Sequence, residues 1–400
     1  MTHTIQDLRI RQALPLEQKI LMTKTRIREW VNYYGLEGVY VSFSGGKDST
    51  VLLHIARSIY PDIKAVFVDT GLEYPEIRKF VKTFDNVDII RPKMNFKQVL
   101  NKYGYPIISK EVSECVYGAR KYLTSLTEAA TITKTDRQTD RQTAPYAYCI
   151  ADLLGIERRT GDLKDYQAIK AGTIPKLPPI RYRILTGTLI HKEKGKTTNE
   201  FSKRYDKSKY KFFLDAPFEI SGKCCNVMKK APAHDYQKIT GRKPIIATLA
   251  EESMLRTEKW LKQGCNGFEA KDPTSTPLSF WREQDVLSYI RENNIKIASV
   301  YGEIVPDYSK SDEIDGQIDI SELGLINDNR CYKTTGCKRT GCMFCLFGIT
   351  QDKSPNRLER MKITHPKQYD YIMRPKEQGG LGYKEVIDWI NANSDLNIKY

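Results

Sequence analysis

The apolar positions of this 400-residue chain follow two periods, one typical of helices and one typical of strands. Apolar residues recur at helical spacing over 1–36 and again over 51–59, whereas short β-rich runs stand at 39–43, 65–69 and 87–90. A strand, a glycine turn, a helix and a second strand within about 30 residues indicate a βαβ unit. The pattern therefore predicts an α/β fold with a parallel sheet and flanking helices.

The second half of the chain returns to the same alternation after a polar stretch. The pattern predicts a strand at 244–248 that runs into a helix at 251–261, and a further helix over 277–290. Ser279 is the predicted N-cap of that last helix, with Glu283 in its first turn.

The predicted organisation has three segments with one insertion. They are a helical N-terminal segment (1–36), an α/β domain (37–300) and a cysteine-containing C-terminal region (301–400) that is loop-rich and then helical. The insertion, at about 124–211, is expected to be part hairpin and part mobile loop.

The composition argues against a disordered, a membrane-spanning and a secreted protein. With 40% hydrophobic and 10% aromatic residues, the chain is not wholly disordered. Its apolar runs fall far short of the ~20 residues of a membrane span, and its N-terminus lacks the pattern of a secretory signal. We therefore expect a cytoplasmic protein without a membrane partner.

The formal charge of +15 is concentrated in one part of the chain. Residues 157–211 hold 15 Lys and Arg against 6 Asp and Glu, a net charge of +9, with tyrosines interleaved among the basic residues. Basic and aromatic residues together favour a nucleic-acid partner, tRNA or DNA. The alternative is a solvated charged face.

The string Ser44-Gly-Gly-Lys-Asp-Ser49 lies between a predicted strand and a predicted helix. Gly45 and Gly46 permit close approach of a phosphate, the helix N-terminus offers unpaired N–H groups, and Lys47 adds a positive charge. A simple turn between strand and helix is the alternative. Asp69 and Thr70 end the next strand, where Asp69 either meets ribose, adenine or Mg²⁺ or caps the following turn.

The nine cysteines include a tandem pair and a C-x₂-C string. Converging thiolates are the ligands of iron–sulfur clusters, and Cys224-Cys225 with Cys342-x₂-Cys345 supplies four. A rival zinc site would use Cys331, Cys337, Cys342 and Cys345, and unligated thiols are a third interpretation. The isolated residues Cys115, Cys149 and Cys265 are predicted to be small buried hydrophobes.

These motifs resemble the PP-loop ATP pyrophosphatase superfamily and, within it, the phosphoadenylyl-sulfate and adenylyl-sulfate reductase family. The resemblance rests on Ser44–Ser49, on Val68-Asp-Thr-Gly-Leu-Glu-Tyr-Pro-Glu76, on the 277–290 string and on Gly341-Cys-Met-Phe-Cys345. It implies an adenine nucleotide alpha-hydrolase-like fold, in which the nucleotide lies at the carboxyl ends of the parallel strands.

The resemblance also implies roles for individual residues. The nucleotide, ATP or adenylyl sulfate, would bind Ser44, Gly45, Gly46, Lys47, Asp48, Ser49, Asp69, Thr70 and Gly71. Lys47, Asp48 and Arg256 would be catalytic, since the family places an arginine beside the anionic group of its nucleotide. Cys224, Cys225, Cys342 and Cys345 would hold a [4Fe-4S] cluster.

Three functions are expected from this combination. The first is an ATP- and Mg²⁺-dependent enzyme that adenylates, or transfers sulfur to, a nucleic-acid acceptor. The second is a sulfonucleotide reductase with thioredoxin as reductant; the family uses a C-terminal cysteine as nucleophile, and no cysteine follows Cys345 here. The third is a non-catalytic nucleotide-sensing subunit.

Overall fold

The computed structural model describes residues 3–135, 178–193, 196–201, 203, 205–308 and 331–400. Contacts divide the chain into two compact units, Met1–Asn95 with Val227–Met343 and Phe96–Asn226 with Phe344–Tyr400. Within the described ranges, no helix has both the length and the apolar character needed to cross a membrane.

Helices and strands alternate along most of the described chain. The helices are α1 Ile5–Gln12, α2 Leu16–Tyr34, α3 Lys47–Arg57, α4 Pro75–Val81, α5 Phe96–Tyr103, α6 Lys110–Thr135, α7 Ile180–Thr186, α8 Ala231–Thr240, α9 Met254–Gln263, α10 Glu283–Glu292, α11 Arg357–Thr364, α12 Pro366–Met373 and α13 Tyr383–Ala392. The strands are β1 Val39–Ser42, β2 Ala65–Val68, β3 Val87–Ile90, β4 Ile107–Ile108, β5 Ile190–Glu193, β6 Lys196–Phe201, β7 Lys243–Ile246, β8 Asn266–Gly267, β9 Thr274–Ser275, β10 Ile304–Pro306, β11 Tyr332–Thr334 and β12 Leu346–Phe347.

The first unit is built on a six-stranded sheet of order β3-β2-β1-β7-β9-β8. Strand pairs β2–β3, β1–β2, β1–β7 and β7–β9 are parallel, and only the short β8 runs antiparallel to its neighbour. Strands β1 and β7 are neighbours in this order. Strands β2 and β3, which follow β1 in the chain, lie on one side of this pair, and β8 and β9, which follow β7, lie on the other side. Such a reversal opens a crevice at the carboxyl ends of the two strands, which is where parallel α/β folds bind ligands. The predicted α/β class is confirmed.

The core of the first unit explains why the sequence of β1 and the residue after it is mostly apolar. Val39, Val41 and Phe43 are at most 1% exposed, because helices cover the sheet. Ile27 and Trp30 of α2 are fully buried in the same cluster. This packing fixes the end of β1 and therefore the start of the loop that follows it.

The N-terminal boundary of α10 differs from the prediction. The helix begins at Glu283, and its N-cap is Arg282 rather than Ser279. Ser279 is buried in a preceding turn, where its N–H donates to the carbonyl of Thr276. The Asp285 carboxylate accepts from the Arg282 N–H at 2.6 Å, which satisfies the helix end later in the chain than predicted.

The second unit contains the predicted hairpin of the insertion. Strands β5 and β6 pair antiparallel, whereas β4 and β12 form a separate parallel pair. Helix α6 is 26 residues long and packs against α7. The predicted mobile loop falls largely on residues outside those described, as does Cys149.

Candidate nucleotide site

The loop between β1 and α3 is closed by its own hydroxyl groups. Ser44 Oγ and Ser49 Oγ lie 3.0 Å apart, and the Ser44 N–H donates to Ser49 Oγ at 3.2 Å. The hydroxyls of Ser49 and Thr50 each donate to the Gly46 carbonyl at 2.9 Å. These bonds fold the loop back on the first turn of α3, so that its backbone surrounds the helix N-terminus.

Glycine is required at the second loop position. Gly45 has φ +71°, and a Cβ there would stand 2.7 Å from Val81 Cγ2 and 2.9 Å from Ile77 Cγ2. Both contacts come from α4, which packs directly under the loop. The loop therefore approaches its support more closely than any residue with a side chain permits.

The first turn of α3 has no side-chain cap of its own. Its N-cap is Gly46, and the Lys47 N–H donates to the Tyr301 hydroxyl at 3.4 Å. Tyr301 in turn lies 2.5 Å from Thr340 Oγ1. Burial raises the pKa of Tyr301 to about 12, so this hydroxyl keeps its proton at neutral pH.

Charged side chains of both signs surround this helix end. Lys47 is 5% exposed; its Nζ lies 3.4 Å from Glu283 Oε1 and donates to the Lys338 carbonyl at 3.0 Å. Burial raises the pKa of Asp48, while the positive charges of Lys47, Arg339 and Arg256 act in the opposite direction.

Arg256, a predicted catalytic residue, lies in this charged group. It pairs with Glu252, and burial together with the nearby Arg339 lowers its pKa. Arg339 Nη1 lies 3.5 Å from the other oxygen of Glu252. The structure therefore brings together the three predicted catalytic residues, Lys47, Asp48 and Arg256, within one electrostatic cluster.

Asp69 and Thr70 follow β2 but are engaged by neighbouring side chains. Asp69 is 7% exposed and accepts from Arg78 Nη2 at 2.9 Å, with Arg91 Nε at 3.5 Å. Thr70 Oγ1 donates to Glu73 at 2.7 Å. Gly71 has φ +75°, and its N–H points to Asp69 Oδ1 at 3.3 Å. Asp69 thus both closes the turn after β2 and holds two arginines.

A cavity of about 170 Å³ opens at the ends of β1 and β2. Apolar and polar groups both line it: Ser42, Phe43, Ser44, Val66, Phe67, Val68, Glu73, Tyr74, Ile77, Lys229, Ala233, Thr340 and Gly341. An apolar wall next to hydroxyl and amide groups is the composition of a small-ligand site. The cavity shares β1 with the crevice expected from the strand order, but it lies on the β2 side of that strand rather than between β1 and β7.

The cysteines are distributed as follows. Cys224 is 7% exposed, and Cys225, Cys342 and Cys345 are half-buried. Among the residues that the structure describes, no three His, Cys, Asp or Glu side chains form a group able to hold a metal ion. The predicted four-thiolate set and its zinc rival therefore stay predictions, and no reaction step below uses a cluster. Cys115 and Cys265 are buried, as predicted.

Sequence reasoning missed four residues of this site, Tyr301, Lys338, Arg339 and Thr340. The Lys47–Tyr301 contact spans 254 positions, which no local pattern can reveal. The one available signal was adjacency, since Lys338–Thr340 directly precedes the Gly341-Cys342 motif.

Comparison with known proteins gives a family. The model of the phosphoadenosine phosphosulfate reductase domain matches residues 38–140 and 183–346. Two uncharacterised proteins of Methanocaldococcus jannaschii are 40% and 42% identical to the chain over 73 residues, 17% of its length. A phosphoadenosine 5'-phosphosulfate reductase of Xylella fastidiosa is 31% identical over 86 residues, 22% of the chain.

These local matches cover 18% and 15% of the two M. jannaschii proteins and 34% of the X. fastidiosa reductase. The chain thus spans only a minor part of those relatives' lengths, whereas the domain match takes in both sides of the basic insertion and more than half of the chain. The loop, the strand order and the domain match agree: the chain belongs to the phosphoadenosine phosphosulfate reductase domain family of the PP-loop superfamily.

Proposed function

We propose that this protein is an ATP-dependent PP-loop enzyme that transfers the adenylyl group of ATP to an acceptor and releases pyrophosphate. The observation that carries the proposal is the charged, glycine-built N-terminus of α3, which opens beside the cavity at the ends of β1 and β2. Phosphate binding needs N–H donors and positive charge, and an adenine base needs an adjacent apolar wall.

In this proposal the cavity binds the base of the nucleotide, and the loop with the start of α3 binds its phosphates. Phe43, Val68 and Tyr74 give the cavity an apolar surface for the base. The loop backbone and the first N–H groups of α3 then face the phosphates, where the helix dipole also favours negative charge. Lys47 lies at this end of the helix and adds a full positive charge.

In the proposed reaction an acceptor oxygen attacks the α-phosphorus. The bond from that phosphorus to the bridging oxygen breaks, and pyrophosphate leaves with the electron pair. Lys47 and Arg256 would neutralise the charge that grows on the leaving group, an effect that fixed cations supply without reorganisation.

Magnesium fits the carboxylates near the loop. Mg²⁺ is commonly held by one or two carboxylates together with substrate phosphates, and Asp48 and Glu283 lie close enough for their charges to interact. When bound there, the ion would neutralise the pyrophosphate. Asp48 and Glu283 would hold it.

Pyrophosphate release with ATP and candidate acceptors tests the proposal. Lys47→Ala should lower the rate about 10²-fold, because a fixed charge on the leaving group is removed. Lys79→Ala, on the exposed face of α4, is the matched control and should leave the rate unchanged. Thermal unfolding of each variant checks that it is folded. A wild-type rate in Lys47→Ala would contradict the assignment.

Sulfonucleotide reduction is the second candidate, favoured by the domain match and by the X. fastidiosa reductase. It predicts release of labelled sulfite from adenylyl sulfate or its 3'-phosphorylated form, with thioredoxin as reductant. Loss of that release in Cys331→Ser or Cys337→Ser would place reduction ahead of adenylation. Nucleotide binding with no product from any acceptor would instead indicate a sensing subunit.

The [4Fe-4S] cluster on Cys224, Cys225, Cys342 and Cys345 stays a prediction from the cysteine pattern. Anaerobic purification followed by iron, sulfide and zinc analysis tests it, with Cys224→Ala as the comparison. Iron and sulfide that fall together in the variant would support a cluster, and sulfur transfer to the acceptor would then be the next activity to assay. Zinc without sulfide would contradict the prediction.

A further inference from the structure

The segment Lys338–Gly341 lies against the loop between β1 and α3 and the start of that helix. The Lys338 carbonyl accepts from Lys47 Nζ at 3.0 Å, and Thr340 Oγ1 is 2.5 Å from the Tyr301 hydroxyl that meets the Lys47 N–H. Thr340 and Gly341 also line the cavity. The segment is therefore part of the wall of the nucleotide site.

Two glutamates near this wall are each shared by two cations. Glu283 lies 3.4 Å from Lys47 Nζ and 3.6 Å from Lys338 Nζ. Glu252 pairs with Arg256 and lies 3.5 Å from Arg339 Nη1. The Glu252 carboxylate thus occupies the place between two guanidinium groups that a phosphate oxygen would take, because phosphate and carboxylate use the same donors.

The two arginines around Glu252 are accessible from solvent. The Arg339 side chain is 59% exposed and that of Arg256 is 42% exposed, whereas Glu252 is 16% exposed. A ligand can therefore reach both guanidinium groups without moving the backbone. Each guanidinium group presents a planar fork of N–H donors that matches a phosphate group, so two of them around one anion suit a ligand with phosphate oxygens.

On the basis of the function proposed above, we propose that Arg339 determines specificity for the anionic tail of the nucleotide. Together with Arg256 it would select adenine nucleotides that carry two or more anionic groups on the 5' side, a polyphosphate or a phosphosulfate, over AMP. Glu252 pairs with both arginines in the free protein, and the anionic tail of the ligand would replace it as their partner. Arg339 is thus a second, sequence-distant partner of Arg256.

Affinities for AMP, ADP and ATP, measured by calorimetry on the full chain, test this inference. Arg339→Ala should weaken ATP binding about tenfold or more and leave AMP binding within about twofold, because a charged hydrogen bond to the tail is removed. Arg339→Lys should recover part of the ATP affinity, since it restores the charge without the fork. Lys333→Ala is the matched control: Lys333 is exposed, lies in β11 and pairs with Asp307 at 3.0 Å.

Each outcome has one interpretation. An ATP-to-AMP affinity ratio that is unchanged in Arg339→Ala, or that falls equally in Lys333→Ala, would overturn the role of Arg339 and leave the proposed function intact. An equal loss of AMP and ATP affinity would also overturn it, because that is the result expected of a structural residue. If the wild-type chain binds none of the three nucleotides, the proposed function itself fails.

Discussion

At the residue scale, the site depends on side chains that serve the loop although they lie far from it in sequence. The Tyr301 hydroxyl is the clearest case, since it accepts from the first N–H of α3 and contacts Thr340. A hydroxyl can accept from one group and donate to another at the same time. Tyr301 therefore connects the helix end to the segment that walls the cavity.

Replacement of Tyr301 by Phe should lower the free energy of unfolding by about 1–2 kcal/mol, because two hydrogen bonds are removed and one N–H is left without its partner. The raised pKa sets the pH range of this effect. Since the folded pKa is about 12 and the ordinary value is 10, the hydroxyl's contribution is complete below pH 10 and disappears as the pH rises toward 12.

Urea unfolding of the wild-type chain and Tyr301→Phe at pH 7 and at pH 11 checks this prediction. The stability advantage of the wild-type chain should be smaller at pH 11, because the unfolded chain releases the tyrosine proton before the folded chain does. An advantage that is the same at both pH values would show that the folded hydroxyl titrates at its ordinary pKa, against the burial of this side chain.

At the scale of elements, local pattern was enough to predict the strand–loop–helix–strand unit. β1, α3 and β2 lie where the apolar runs indicated, because buried parallel strands and an amphipathic helix leave strong local signals. The start of α10 was predicted too early, since Ser279 is drawn into a buried turn by tertiary packing. Contacts such as Lys47–Lys338 join distant parts of the chain, so no local signal exists for them.

The support of the loop by α4 gives a prediction for Gly45→Ala. An alanine methyl group there would clash with Val81 and Ile77. The fold would also hold the alanine in a left-handed backbone conformation, which costs free energy in any residue with a Cβ. We therefore expect the free energy of unfolding to fall by about 2–4 kcal/mol. Gly71→Ala is the matched control, because Gly71 has nearly the same φ but open space around its Cβ position. It should lose only about 1 kcal/mol.

Urea midpoints of the two variants separate strain from crowding. The larger loss of stability in Gly45→Ala should be accompanied by weaker nucleotide binding, because the loop must move away from α4. Equal losses in both variants would show that the backbone conformation alone, and not the packing of α4, requires glycine at this position.

At the scale of the whole molecule, charge is distributed unevenly, and the excess of +9 at 157–211 lies outside the nucleotide motifs. Its described part includes the exposed Lys203, Lys209 and Lys211. If the segment binds nucleic acid through phosphates, each lysine that meets a phosphate releases a counterion, so binding weakens as salt rises. A merely solvated face would give no such binding.

Substitution of Lys203, Lys209 and Lys211 by Gln should reduce the slope of log K against log salt by about 2–3, at roughly 0.7–0.9 for each phosphate that is no longer neutralised. The control is the same change at Lys353, Lys362 and Lys367, which are exposed but lie outside the segment. Both triple variants remove three positive charges, so a difference between their slopes can arise only from the positions of the replaced lysines. Binding of labelled tRNA and duplex DNA over a salt titration measures it; equal slopes would mean that net charge alone attracts the nucleic acid.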